Sequence, residues 1–202
     1  MTTSFLSDLA QPRPDPGGGA AAAYGATLAL ALLEKVIQLE LRRPHHEASG
    51  RLFWERQLIK ARELTASLSQ LQEADVRAYA RLAAARASQV EGGPWSEIVQ
   101  TAIDCPLSIM AQAREAMTLV SSTGVSCQRH LVSDLLVALE FLGGAIKGAA
   151  HIALANLPLL NPETGRKEFS ARISRAFQQG KEALRLVRDR LTLVGNSPPG
   201  AP

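Results

Sequence analysis

Asp75 is the first residue of this sequence whose position asks for a chemical explanation. Apolar side chains recur at Leu64, Leu68, Leu71, Tyr79 and Leu82, the spacing of one helix face, and Asp75 falls on that stripe one turn after Leu71. A carboxylate on a buried stripe is costly unless it is paired or hydrogen-bonded. It therefore sits near the helix surface, beside Arg77 or Arg81, or it belongs to a site. Asp134 is the second candidate acid. It follows Ser133 near a helix start, where an acid either favours the helix dipole or serves a site. The third feature is Pro16-Gly17-Gly18-Gly19, followed by an alanine-rich run. Three glycines permit positive φ or close approach, and a glycine loop feeding a helix N-terminus offers free N–H groups to an anion. The plain alternative is a small-residue helix start that lets its neighbours pack closely.

Other chemically capable residues carry weaker signals. Arg42 and Arg43 end the first long apolar segment, where they either cap the helix or attract an anion. His45 and His46 follow Pro44 without other ligands nearby and read as loop residues. His130, just before Ser133-Asp134, could titrate near neutral pH or simply lie in a surface turn. His151 lies on a helix among small residues and reads as structural. Cys105 and Cys127 lack metal-ligand spacing and fit reduced thiols of a cytosolic protein, so no metal is expected.

The elements that must position these residues are helices. A short helix is expected at 4–10, closed by Pro12, Pro14 and Pro16. Long helices are expected over about 18–41, stopped by Pro44; over about 47–88; and from Pro94 to about Val120, with a kink or break near Asp104-Cys105 because Pro106 lies inside. Ser121 to Gly124 reads as a turn. A further helix is expected over about 127–155, with Gly143, Gly144 and Gly148 marking close packing. The last is expected over about 166–193, with Phe169, Ile173, Phe177, Leu184 and Val187 inward. No strand pattern is found. The expectation is an all-α, up-and-down bundle of about five long helices, one domain over 1–194, with a disordered Gly/Pro-rich tail at 195–202.

Composition narrows the partners. The chain has 202 residues, 46% hydrophobic and only 4% aromatic, so its core must be built from Leu, Ala, Val and Ile. A net charge of +3 is compatible with a small anionic ligand, and no basic patch interleaved with aromatics points to nucleic acid. The N-terminus lacks the pattern of a signal peptide, and the apolar run from Ala20 to Leu33 is short for a bilayer and closed by Glu34-Lys35. A soluble, cytoplasmic protein without a membrane partner is expected. Small-residue helices with Gly25 and with Gly143, Gly144 and Gly148 also suit packing between copies, so a homodimer or higher symmetric oligomer is expected.

Taken together, the Pro-Gly-Gly-Gly entry, Asp75 with Tyr79, Asp104-Cys105-Pro106-Leu107, and Ser133-Asp134 leading a helix that ends at Asn156-Leu157 resemble the cyclodeaminase family. That family includes the cyclodeaminase domain of formiminotransferase-cyclodeaminase and bacterial methenyltetrahydrofolate cyclohydrolases. The resemblance runs from about Ser4 to Leu193. It implies a helical, dimeric or higher protein acting on a one-carbon derivative of tetrahydrofolate, with the folate as substrate and no separate cofactor. It implies Asp75 and Asp134 as catalytic carboxylates converging on one cleft, one reading the pterin N–H groups and the other moving a proton. It further implies Gly17, Gly18, Gly19, Ser133 and Asn156 as substrate-binding residues, and Arg42 as a residue drawing in the folate's glutamate tail. The sequence departs from the family pattern at Ala20 (usually Ser), at Gln128-Arg129-His130 (usually an Asn-rich turn), at Ile152 (usually Asn), and at Arg42 to His46 (usually Lys-rich with a Tyr). The alternative these departures raise is a helical homologue that has lost the chemistry and serves as a folate-binding or oligomer-forming subunit.

Overall fold

The computed structural model describes residues 2–44, 48–161 and 163–196, so His45 and His46 lie outside the described residues. Its helices are α1 (Thr2–Leu9), α2 (Gly18–Leu41), α3 (Ala48–Ala87), α4 (Gly92–Gly124), α5 (Val132–Asn156) and α6 (Glu163–Asn196). Short 3₁₀ turns at Arg129–Leu131 and Leu157–Leu159 lead into and out of α5. The described residues contain no strand. Five long helices and one short one match the expected all-α bundle. Gly195 and Asn196, expected in the tail, still belong to α6.

Two local expectations are corrected. Ser121 to Gly124 is not a turn but the last turn of α4, and the chain reverses after it. Ser, Thr and Gly are poor helix formers, yet Thr123 is fully buried and a side chain at position 124 would overlap Leu191 of α6. Tertiary packing overrides propensity there. The second correction concerns the break expected as an alternative to a kink at Pro106: α4 runs through the proline without interruption. Its missing N–H leaves the carbonyl of Ala102, four residues back, without its helical donor. The side chain of Asn156 supplies one, with Nδ2 donating to Ala102 O at 3.0 Å.

The bundle is organised around α2, which packs between α3 and α5, while α4 lies against α3, α5 and α6. The glycines on α5 show how closely the helices approach. A Cβ at Gly148 would lie 3.4 Å from Ala22, and one at Gly143 would press on Leu184 of α6. Helices α2 and α5 run antiparallel. Gly18 meets Ile152 at one end, and Lys35 meets Asp134 and Glu40 meets Gln128 at the other. The main core is Ala, Leu, Ile, Val and Met from α2 to α6, including Leu30, Leu33, Ile109, Met117 and Leu139. A smaller core, with Leu82, Val99, Ile103, Leu160, Phe169 and Ile173, joins α3, α4 and α6.

Helices α2 and α5 are long and apolar enough, by length and composition, to cross a membrane, but 50% and 44% of their apolar windows are buried inside the bundle. Their outward faces carry Leu28, Leu39, Val137 and Phe141, all exposed, with open space in front of Gly25 and Gly144.

Candidate functional site

The site begins at the N-terminus of α2. Three prolines keep the preceding segment out of a helix. Gly17 is the N-cap in an extended conformation (φ −111°, ψ −163°) and makes no side-chain cap. The N–H groups of the first turn therefore need partners from elsewhere. Asp75 supplies one from α3: its carboxylate lies where a Cβ on Gly19 would sit, and the Ala20 N–H faces it. A negative charge at the positive end of a helix is favourable. The two strongest signals of the sequence, the glycine entry and the acid on a buried stripe, are thus one arrangement.

Burial and one backbone donor act on this carboxyl in opposite directions. Asp75 is 8% exposed and is engaged in no ion pair among the described residues. Burial pushes its carboxyl above the ordinary value of 3.8, and the Ala20 N–H opposes that shift by favouring the charged form. Arg77 is not its partner, being turned to Glu73 at 3.3 Å. Cys105 of α4 lies nearby, with Sγ donating to Leu71 O at 3.6 Å. Burial, and then the Asp75 charge, push that thiol up to about 12, so it stays protonated and unreactive at neutral pH. A buried carboxyl whose protonated form is favoured by desolvation and whose charged form is favoured by an N–H is a candidate for general acid–base work.

Five of the residues read from the sequence share this end of the bundle: Gly17, Gly18, Gly19, Asp75 and Asn156. Gly18 packs on α5, where a Cβ would lie 3.0 Å from Ile152. Asn156, one turn further along α5, is tied to Ala102 O, one turn before Pro106. Ala20 is fully buried in the first turn of α2. The departures at Ala20 and Ile152 therefore fall at the same glycine entry as the retained residues.

The other three lie elsewhere, and the expected convergence of Asp75 with Asp134 is not found within one chain. Asp134 forms an ion pair with Lys35 at 2.8 Å. Lys35 is sixteen residues along α2 from Gly19, which at the α-helical rise is about 24 Å. Ser133 is exposed beside Asp134, its Oγ donating to His130 O at 3.4 Å. Arg42, exposed at the C-terminal end of α2, is about 35 Å from Gly19 by the same rise, too far to meet a ligand at Asp75 in its own chain. Tyr79, read as buried, is 44% exposed, and His151, read as structural, is also exposed. The physical reason for the separation is the antiparallel pairing of α2 and α5, which sends the start of one to the end of the other.

Glu40 was missed by the sequence reading. It is fully buried, accepts the Gln128 N–H at 2.7 Å and Arg43 Nη1 at 2.9 Å, and so fastens the α4–α5 connection to α2. The signal was its place on the buried face of α2, after Leu33, Val36 and Ile37. Among the described residues no three His, Cys, Asp or Glu side chains group as a metal site.

Comparison with known proteins adds the following. Residues 1–175 match the family model described as formiminotransferase-cyclodeaminase. A curated relative, the methenyltetrahydrofolate cyclohydrolase of Methylorubrum extorquens, is 27% identical over 161 residues, covering 73% of this chain and 74% of its own. The crystal structure of formiminotetrahydrofolate cyclodeaminase from Thermotoga maritima superposes with a TM-score of 0.85 at 21% identity, covering 95% of this chain and 96% of that one. At that identity the superposition speaks for the fold.

Proposed function

The chain belongs to the formiminotransferase-cyclodeaminase family, and on that footing we propose that it acts on a one-carbon tetrahydrofolate at the Asp75 end of the bundle. Two reactions fit. In cyclodeamination, N10 of 5-formiminotetrahydrofolate attacks the formimino carbon, ammonia leaves and the methenyl bridge forms. In cyclohydrolysis, water attacks the methenyl carbon. Each needs a proton moved at nitrogen or water. Asp75 is the group we assign to that step, protonated to release ammonia or ionised to accept a proton from water. The observation that carries this is the placement of the Asp75 carboxylate, buried on α3 directly against Gly19 at the glycine entry of α2, where desolvation favours its protonated form and the Ala20 N–H favours its charged form. The test is optical. Purified chain mixed with 5,10-methenyltetrahydrofolate should abolish its absorbance faster than buffer, or mixed with 5-formiminotetrahydrofolate should generate it. The arm that responds names the reaction. We place the reaction in the cytoplasm, with free thiols at Cys105 and Cys127 in keeping.

We further propose a homodimer through the outer faces of α2 and α5. Large apolar side chains exposed on an outer helix face suit a partner, and these two helices leave Leu28 and Phe141 exposed beside the open space at Gly25 and Gly144. Bulky and small residues side by side suit a self-complementary, isologous contact. A two-fold axis perpendicular to α2 near Leu28 would bring Asp134 of a second copy toward the Asp75 end of the first. Such a dimer retains the catalytic role for Asp134 that one chain does not support.

The second reading is a homologue that has kept the fold and lost the chemistry. It is favoured by Ala20 and Ile152, since both departures fall at the glycine entry of α2, Ala20 with its N–H on Asp75 and Ile152 against Gly18. It predicts folate binding, or dimer formation alone, without turnover.

A further inference from the structure

Asp75 opens a stripe on α3 that continues, at helical spacing, through Tyr79 and Leu82 to Arg86. Its members behave differently. Asp75 faces the N-terminus of α2, Leu82 is buried in the smaller core, and Tyr79 and Arg86 are exposed. Arg86 lines an open cavity of about 970 Å³ at the α3–α4 corner, where the ring of Trp95 is fixed by its Nε1 donating to Leu159 O at 3.0 Å. Arg86 has no ion-pair partner among the described residues, although Glu91 shares the cavity wall. Arg77 is occupied by Glu73, and Arg81 lies on a different side of α3. The eleven residue steps from Asp75 to Arg86 span about 16 Å of helix. That is comparable with the reach of an extended folate from its pterin edge to its glutamate.

We propose that Arg86 binds the glutamate carboxylate of the folate, with Tyr79 lying along its aminobenzoyl ring. This deepens the folate reading above and rests on it. It also reassigns to Arg86 the role expected of Arg42. A guanidinium offers a carboxylate two parallel N–H donors, and an exposed tyrosine ring offers an aryl group a flat apolar face. The competing role for Arg86 is purely structural, complementing the negative end of α3 from its last turn.

The test compares two ligands that differ only in the glutamate, tetrahydrofolate and tetrahydropteroate, by titration calorimetry against wild type, Arg86→Ala and Arg81→Ala. A charged hydrogen-bonding pair is lost only with the first ligand, so Arg86→Ala should weaken tetrahydrofolate about tenfold. Tetrahydropteroate binding should be unchanged, and Arg81→Ala should change neither. Equal losses for both ligands, with a lowered unfolding midpoint, would assign Arg86 to the helix end and overturn the proposal. So would no loss at all. A wild type that binds neither ligand overturns the folate reading itself and this assignment with it; a wild type that binds both, indifferent to Arg86, overturns this assignment alone.

Discussion

Asn156 and Pro106 are matched across two helices: the proline removes the N–H that Ala102 O would have received, and the asparagine replaces it at 3.0 Å. Removing the amide leaves a carbonyl without a donor beside the smaller core. Asn156→Ala should therefore cost about 1–3 kcal/mol in urea unfolding. Restoring the backbone donor with Pro106→Ala should relieve much of that cost in the double variant. Simple additivity of the two changes would show that the pair is not coupled.

Gly19 is confined by Asp75 in a comparable way. A methyl group there would press on the carboxylate, whereas at Gly165 in α6 it meets open space. Gly19→Ala should destabilise by about 1–3 kcal/mol, as overpacking does. Gly165→Ala should stabilise by up to about 1 kcal/mol, the ordinary helical preference for alanine. Two similar thermal shifts of the same sign would contradict this picture of the α2 entry.

Much of this was legible in the sequence. Proline stops and helical periodicity gave α2 its observed ends, Gly18 and Leu41, and gave α3 to within a residue. Asp75 stood out because an acid on a leucine stripe needs a reason. Its partner was not legible, because contact between Gly19 and Asp75 joins residues distant in the chain. The separation of Asp134 and Arg42 from Asp75 was hidden for the same reason: local signals do not state which ends of antiparallel helices meet. Glu40 was missed, although its place after Leu33, Val36 and Ile37 on one face of α2 made it readable. The continuity of α4 through Pro106 was not readable, since the donor to Ala102 O comes from another helix.

Asp75 also gives the fold a pH signature. Its carboxyl is raised in the folded chain, so between the ordinary value of 3.8 and the raised one the native state binds more protons than the unfolded state. The contribution of this group to stability therefore falls as pH rises through that window and levels off above it. Asparagine keeps an oxygen for the Ala20 N–H and loses the titration. The stability of wild type relative to Asp75→Asn should drift downward from acid toward neutral pH and then flatten. A difference constant across that range would mean that burial does not perturb Asp75.

The dimer proposal yields a mixing experiment. If each site joins Asp75 of one copy to Asp134 of the other, inactive Asp75→Asn and Asp134→Asn chains mixed and allowed to exchange should regain activity through mixed dimers. Mixtures as inactive as their components, with exchange verified, would rule out a shared site. A monomeric mass in sedimentation at micromolar concentration would remove the dimer altogether.

The most direct measurement is the kcat of Asp75→Asn against wild type on the one-carbon tetrahydrofolate that wild type consumes. A group that moves the proton typically contributes 10²–10⁴-fold, so the variant should lose at least about a hundredfold in kcat, with its helical circular dichroism intact. A carboxylate that only held the substrate would raise KM and leave kcat alone. A variant that turns over at the wild-type rate, or a wild type that neither turns over nor binds tetrahydrofolate, contradicts the assignment of Asp75 as the proton-moving group of a folate enzyme.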